Sequence, residues 1–144
     1  MGKPMGYTFI DHTADVAADL TGRTLEELFA SAAQALTDTL TERSQVHTVI
    51  TQSVTLEAPT LEDLLVDWLN ELLYRFEVQN VLVFDATVTI EEANGRWQLG
   101  ATIAGEMFNP ARHPSRVLVK SATYHGLAVS KSAHGYSARI VFDI

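Results

Sequence analysis

Two stretches of this chain repeat apolar residues every three or four positions, while much of the remainder alternates every second position. Leu25, Leu28, Phe29, Ala32, Ala33, Leu36 and Leu40 fall on one stripe. Leu61, Leu64, Leu65, Trp68, Leu69, Leu72, Leu73 and Phe76 form a second, with Glu62, Asp63, Asp67, Asn70 and Glu71 opposite. A 3.6-residue period predicts two helices, each with one face on a core. Both have a recognisable start. Thr24-Leu-Glu-Glu27 is a full capping box, a hydroxyl followed three residues on by a carboxylate; Thr60-Leu-Glu-Asp63 repeats it with Asp in the last place. The two starts lie 36 residues apart, a hint of internal duplication.

Val46–Ala58 is rich in Val, Ile and Thr and predicts a strand, and shorter strands are read at Tyr7–Ile10 and from about Val16 to Leu20. Val81–Glu91 and Arg96–Met107 flank Asn94-Gly95, the strongest hairpin signal in the chain. Asn109-Pro110 and His113-Pro114 interrupt regular structure. Val117–Ala122, Tyr124–Ser130 and Tyr136–Phe142 complete the expected strands. The sum is one α+β domain spanning residues 1–144, with two helices on one face of a largely antiparallel sheet.

Composition narrows the chemistry. Apolar residues are 47% of 144 and cysteine is absent, so thiolate metal sites, cysteine nucleophiles and disulfides are excluded. No secretory or membrane-spanning segment is visible, which predicts a cytoplasmic protein with no membrane association. The net charge is −8, and the excess lies in the first 77 residues, with thirteen Asp/Glu against four Lys/Arg. Phosphate backbones are bound by clustered cations, so no direct nucleic-acid binding is expected, and a basic protein partner fits better. Phosphate loops, dinucleotide fingerprints, nucleophile elbows and zincin helices are all missing.

Three features could carry chemistry. Asp11-His12-Thr13-Ala14-Asp15 places two carboxylates, an imidazole and a hydroxyl within five residues. Such a cluster is ordinarily a polar turn that satisfies its own backbone; it also suits Mg²⁺, Ca²⁺ or Mn²⁺ as an oxygen-donor site. Spacing alone favours the turn. The apolar end Val141-Phe142-Asp143-Ile144 reads as a docked strand that could bring Asp143 and a terminal oxygen beside another acid. Lys120 interrupts an uncharged strand as an exposed residue or a partner contact.

Taken together, the motifs Asp11-His-Thr-Ala-Asp-Val16, Thr24-Leu-Glu-Glu-Leu-Phe29, Leu64-Leu-Val-Asp-Trp-Leu-Asn-Glu-Leu-Leu-Tyr74, Val119-Lys-Ser-Ala-Thr-Tyr-His-Gly126 and Phe142-Asp-Ile144 resemble the archease family from about Tyr7 to Ile144. The resemblance implies a small α+β accessory protein, not an enzyme, that assists a GTP-dependent RNA ligase in tRNA splicing and RNA repair. It would promote transfer of GMP onto the ligase and sustain repeated turnover. It also implies a divalent-cation site at Asp15, Asp143 and Ile144, the last through a backbone or terminal oxygen. Lys120, His12 and Asp11 are expected to serve partner contact or activation.

Two other readings stand beside this one. A metal-dependent phosphoester hydrolase would use Asp15, Asp143 and a bound water, with His12 carrying the proton. A general protein-binding chaperone module would work instead through the acidic helix surface at Glu62, Asp67 and Glu71.

Overall fold

Both capping sequences start helices, and the same contact does it each time. The Thr24 hydroxyl accepts the Glu27 amide at 3.1 Å, and the Thr60 hydroxyl accepts the Asp63 amide at 3.0 Å. The repeated T-L-E-(E/D)-L sequence thus meets one local need twice. The computed structural model describes residues 5–10 and 15–144. In chain order these form β1 (Gly6–Ile10), β2 (Asp15–Gly22), α1 (Leu25–Leu40), a 3-10 turn at Arg43–Gln45 and β3 (Ile50–Ala58). There follow α2 (Leu61–Gln79), β4 (Val81–Ala93), β5 (Arg96–Met107), β6 (Ser121–Thr123), β7 (Ser130–Ser132) and β8 (Gly135–Asp143). Asn80, left-handed at φ 59°, ends α2, and its amide bonds back to the Arg75 and Phe76 carbonyls.

The protein is α+β, and every strand pairing is antiparallel. The strands divide into two sheets where the sequence suggested one. The first runs β1-β2-β8-β6, with β7 also paired to β8; the second runs β3-β5-β4. Both helices pack against both sheets. This explains why α1 is buried over twelve of its sixteen residues, where the apolar stripe predicted a single buried face. Alanines let the backbone approach closely, and the polar residues drawn inside find partners. Ser31 donates to the Thr21 carbonyl at 2.9 Å, Thr37 to the Val83 carbonyl at 2.6 Å and Gln34 to Asp85 at 3.2 Å.

Trp68 sits at the helix–helix contact, fully buried, with its indole N–H on the Phe29 carbonyl at 2.9 Å. Around it lie Phe29, Leu28, Leu64, Leu65, Leu69, Leu99, Ile103, Ile140 and Phe142. Each such side chain contributes roughly 1.5–3 kcal/mol on leaving water. At Gly105 the two strands of the Asn94-Gly95 hairpin come so close that an added Cβ would lie 1.8 Å from the Leu82 carbonyl oxygen. The ladder bulges just beyond, between Val83 and Asp85.

Three predicted strands are shorter than expected, for one reason: their backbone groups bond elsewhere. The Val46 amide closes the 3-10 turn onto Arg43, so β3 starts at Ile50. Arg116 and Val117 give their amides to the carbonyls of Leu40 and Thr39 near the end of α1, leaving only Ser121–Thr123 in a ladder. The segment after Tyr124 turns through a bond from the Leu127 amide to the Tyr124 carbonyl and rejoins a sheet only at Ser130. No helix among the described residues is long and apolar enough to cross a membrane.

Candidate functional site

Asp15 opens β2, Asp143 closes β8, and the register makes them direct cross-strand partners. Alternation sets their direction. Val16 and Phe142, the next pair in the ladder, turn to the core, with Phe142 fully buried. Asp15 and Asp143 therefore share the opposite face. On the other side of β8 the short β6 sets Ser121 opposite Asp143 and Thr123 opposite Val141. The result is a cleft of about 220 Å³ lined by Asp15, Thr123, His125, Val141 and Asp143. The Oδ1 atom of Asp15 is shielded from solvent, whereas Asp143 is exposed.

Lys120 enters through its backbone: its amide donates to the Asp143 carbonyl at 2.8 Å and fixes the last residue of β8 from the side opposite β2. Its side chain is exposed. Ile144 follows Asp143 outside the ladder and is exposed. Asp11 and His12 lie outside the described residues. The structure thus brings together Asp15, Asp143 and the Lys120 backbone, while Ile144 follows Asp143 in the chain without lining the cleft. It adds Thr123 and His125, neither of which was singled out for the site. The clue to Thr123 was alternation, since it has the parity of Ser121; His125 reaches the cleft through the turn after β6, where its amide contacts the Thr123 hydroxyl at 3.4 Å.

Two like charges directly opposite in a ladder repel, and a divalent cation between them reverses the sign of that interaction. The donor set fits a hard cation. Among the described residues no group of three or more His, Cys, Asp or Glu converges, so a cation held by Asp15 and Asp143 would draw its other ligands from carbonyl, hydroxyl and water oxygens. Ca²⁺ and Mg²⁺ accept such shells.

A second polar cluster is buried and structural. Glu106 accepts from Arg112, from the His47 amide at 3.2 Å and from His113 Nε2 at 2.6 Å. His113 Nδ1 accepts the Asn109 amide at 2.8 Å, which leaves the ring proton on Nε2, facing the carboxylate. Burial pushes the Glu106 carboxyl up, but hydrogen bonds from Arg112, the His47 amide and His113 outweigh it and hold the group at about 2 instead of 4.5. His113, 1% exposed and stacked on Phe108, pins the loop after β5.

Comparison with known proteins places the chain. The model of the Archease protein family matches residues 7–144. Protein archease of Methanosarcina acetivorans is 38% identical over 139 residues, covering 96% of this chain and 95% of its own length. Protein archease of Sulfolobus acidocaldarius is 35% identical, covering 96% and 98%. The solution structure of Methanobacterium thermoautotrophicum protein 1598 superposes with a TM-score of 0.82 at 29% identity, over 96% of this chain and 99% of that one. The crystal structure of a Thermotoga maritima protein, described as an archease and possible chaperone, shares the fold at a TM-score of 0.58 and 21% identity, over 100% and 98%. The fold is thus that of a small α+β family built from two helices and antiparallel sheets. This chain belongs to the archease family.

Proposed function

We propose that this protein is an accessory activator of a GTP-dependent RNA ligase, acting through a divalent cation held by Asp15, Asp143 and an oxygen of Ile144. The observation that carries the reading is the direct pairing of Asp15 with Asp143 at the end of the first sheet. A cation bound there would neutralise the two carboxylates and offer positive charge to an anionic group on the partner. The chain's own residues hold the arrangement. The Lys120 amide fixes the backbone of Asp143, and the exposed Lys120 ammonium is available to the ligase. Family membership supports the choice of partner, and the acidic surface suits a basic RNA-handling enzyme. GTP is bound by the ligase in this account, in keeping with a sequence that carries no phosphate loop.

The chaperone-module reading rests on Glu62, Asp67 and Glu71, and two of these are already engaged within the fold. Glu62 accepts the Val129 amide at 2.8 Å, and Glu71 pairs with Arg75 at 2.8 Å. Asp67 remains, its carboxyl raised by burial and then by the neighbouring Asp63 charge. The test is ligase guanylylation with Asp15→Asn and Asp143→Asn beside Asp67→Asn. Activation lost in the first two and kept in the third supports the cation site; the reverse pattern supports the helix surface.

A further inference from the structure

A larger cleft, of about 540 Å³, shares no lining residue with the one at Asp15 and Asp143. It is formed where β1, the end of α1, the 3-10 turn and β4 meet the segment after Pro114, and Tyr7, Asp38, Glu42, Arg43, Phe84 and Arg116 line it. Two of the chain's ten basic residues are gathered here in a protein of net charge −8. Both guanidinium groups are held by contacts that leave part of each fork open. Arg43 donates Nε to the Phe84 carbonyl at 2.6 Å and lies over the Phe84 ring, 4.2 Å from its centroid. Arg116 donates Nη1 to the carbonyl and the Oδ1 of Asp38, each at 3.0 Å.

Asp38 is fully used. Its Oδ1 also accepts the Arg43 amide at 3.2 Å, and its Oδ2 accepts the Tyr7 hydroxyl at 2.9 Å. Its charge is matched by Arg116. Arg43 by contrast makes no ion pair among the described residues, although its side chain is only partly exposed. Neither terminal nitrogen of Arg43, nor Nη2 of Arg116, makes a hydrogen bond among the described residues. Among the described residues no guanidinium nitrogen is left buried without a partner, so these donors are open to solvent and to a ligand.

We propose that this cleft binds a phosphate monoester bearing hydroxyl groups, with the phosphate in the forks of Arg43 and Arg116. Planar forks that are already immobilised suit a tetrahedral oxyanion, because little side-chain freedom is lost on binding. The Glu42 carboxylate on the cleft wall opposes a bare anion but accepts hydrogen bonds from sugar hydroxyls, which selects an esterified phosphate over the free ion. The volume is that of an ordinary small-molecule site.

The test is titration of the intact protein with ribose 5-phosphate and with inorganic phosphate, followed through the arginine side-chain Nε–Hε signals by NMR. Ribose 5-phosphate is expected to shift the Arg43 and Arg116 signals saturably and to bind more tightly than inorganic phosphate. Arg43→Gln, and Arg43→Lys in case the first variant folds poorly, should weaken binding by about tenfold or more. Arg139→Gln removes the same charge from an exposed pair with Asp19 and should leave binding unchanged. No shift with either ligand, or equal affinity in Arg43→Lys and the unaltered chain, overturns the proposal. Inorganic phosphate binding as tightly as the ester would overturn the selection ascribed to Glu42.

Discussion

Asp15 and Asp143 stand directly opposite each other across the β2–β8 ladder, at the end of strands whose next pair, Val16 and Phe142, turns into the core. The fully buried Phe142 fixes the register, because a one-residue slip of β8 would turn Asp143 inward and expose Phe142. The core therefore holds two like charges together that would separate if free to do so.

That arrangement has a stability signature. In chelator, Asp143→Asn removes one of the two charges, so the variant should unfold at a free energy equal to or up to about 1 kcal/mol above that of the unaltered chain. Adding Ca²⁺ or Mn²⁺ at about a hundredfold excess over its dissociation constant should stabilise the unaltered chain by about 2.7 kcal/mol. The variant should gain little. Urea unfolding with and without the cation checks both statements, and an equal gain in the variant would contradict them.

Glu106 gives an acid dependence whose sign is determined by its folded-state value. That value, about 2, lies below the ordinary 4.5, so the unfolded chain binds the proton more readily than the folded one. The contribution is fully present above about 4.5 and is lost as pH falls through that window toward about 2. Glu106→Gln should flatten this part of the stability-versus-pH curve. It should also cost about 1–3 kcal/mol at neutral pH, by weakening the bonds from the partly exposed Arg112 and the buried His113. Unfolding free energies measured between pH 2 and pH 7 decide the matter; a Gln variant with the unaltered acid slope would remove Glu106 as its source.

The close passage at Gly105 makes a sharper structural prediction. A methyl group there meets the Leu82 carbonyl, a backbone group that cannot swing aside as a flexible side chain would, and the hairpin has to move. Gly105→Ala should destabilise by about 1–3 kcal/mol and disturb the neighbouring Glu106. By comparison Gly6→Ala, where nothing lies within 4 Å of the added atom, should be close to neutral. Denaturant unfolding of the two variants side by side tests the contrast.

Trp68 should account for the largest single loss in the core. Trp68→Ala removes the biggest fully buried side chain and its bond to Phe29, at a cost of about 3–5 kcal/mol. Equilibrium unfolding reads the cost directly. A loss below about 1 kcal/mol would mean that the helix–helix contact is not packed as described.

What could be read in the chain and what could not follow one division. Features decided within a few residues were legible: the caps at Thr24 and Thr60, the Asn94-Gly95 turn and the apolar stripe of α2. Features decided by distant partners were not. Val117–Lys120 has strand composition, yet Arg116 and Val117 bond to the end of α1. The division into two sheets depends on which strands pair, and the burial of Ser31, Gln34 and Thr37 depends on a second sheet reaching α1. For the site, resemblance nominated Asp15 and Asp143, and only the register set them opposite each other. The cleft at Arg43 and Arg116 had no local signature, because its residues are scattered from Tyr7 to Arg116.

In the proposed function the paired carboxylates enable activation of a ligase. The direct measurement is transfer of radiolabelled GMP from GTP onto the RNA ligase, with and without this protein and with its Asp15→Asn and Asp143→Asn variants. A marked increase is expected with the unaltered protein and none with either variant, provided both remain folded by circular dichroism. Full stimulation by the folded variants would contradict the role of the pair, and no stimulation by the unaltered protein at any ratio would contradict the activator function itself.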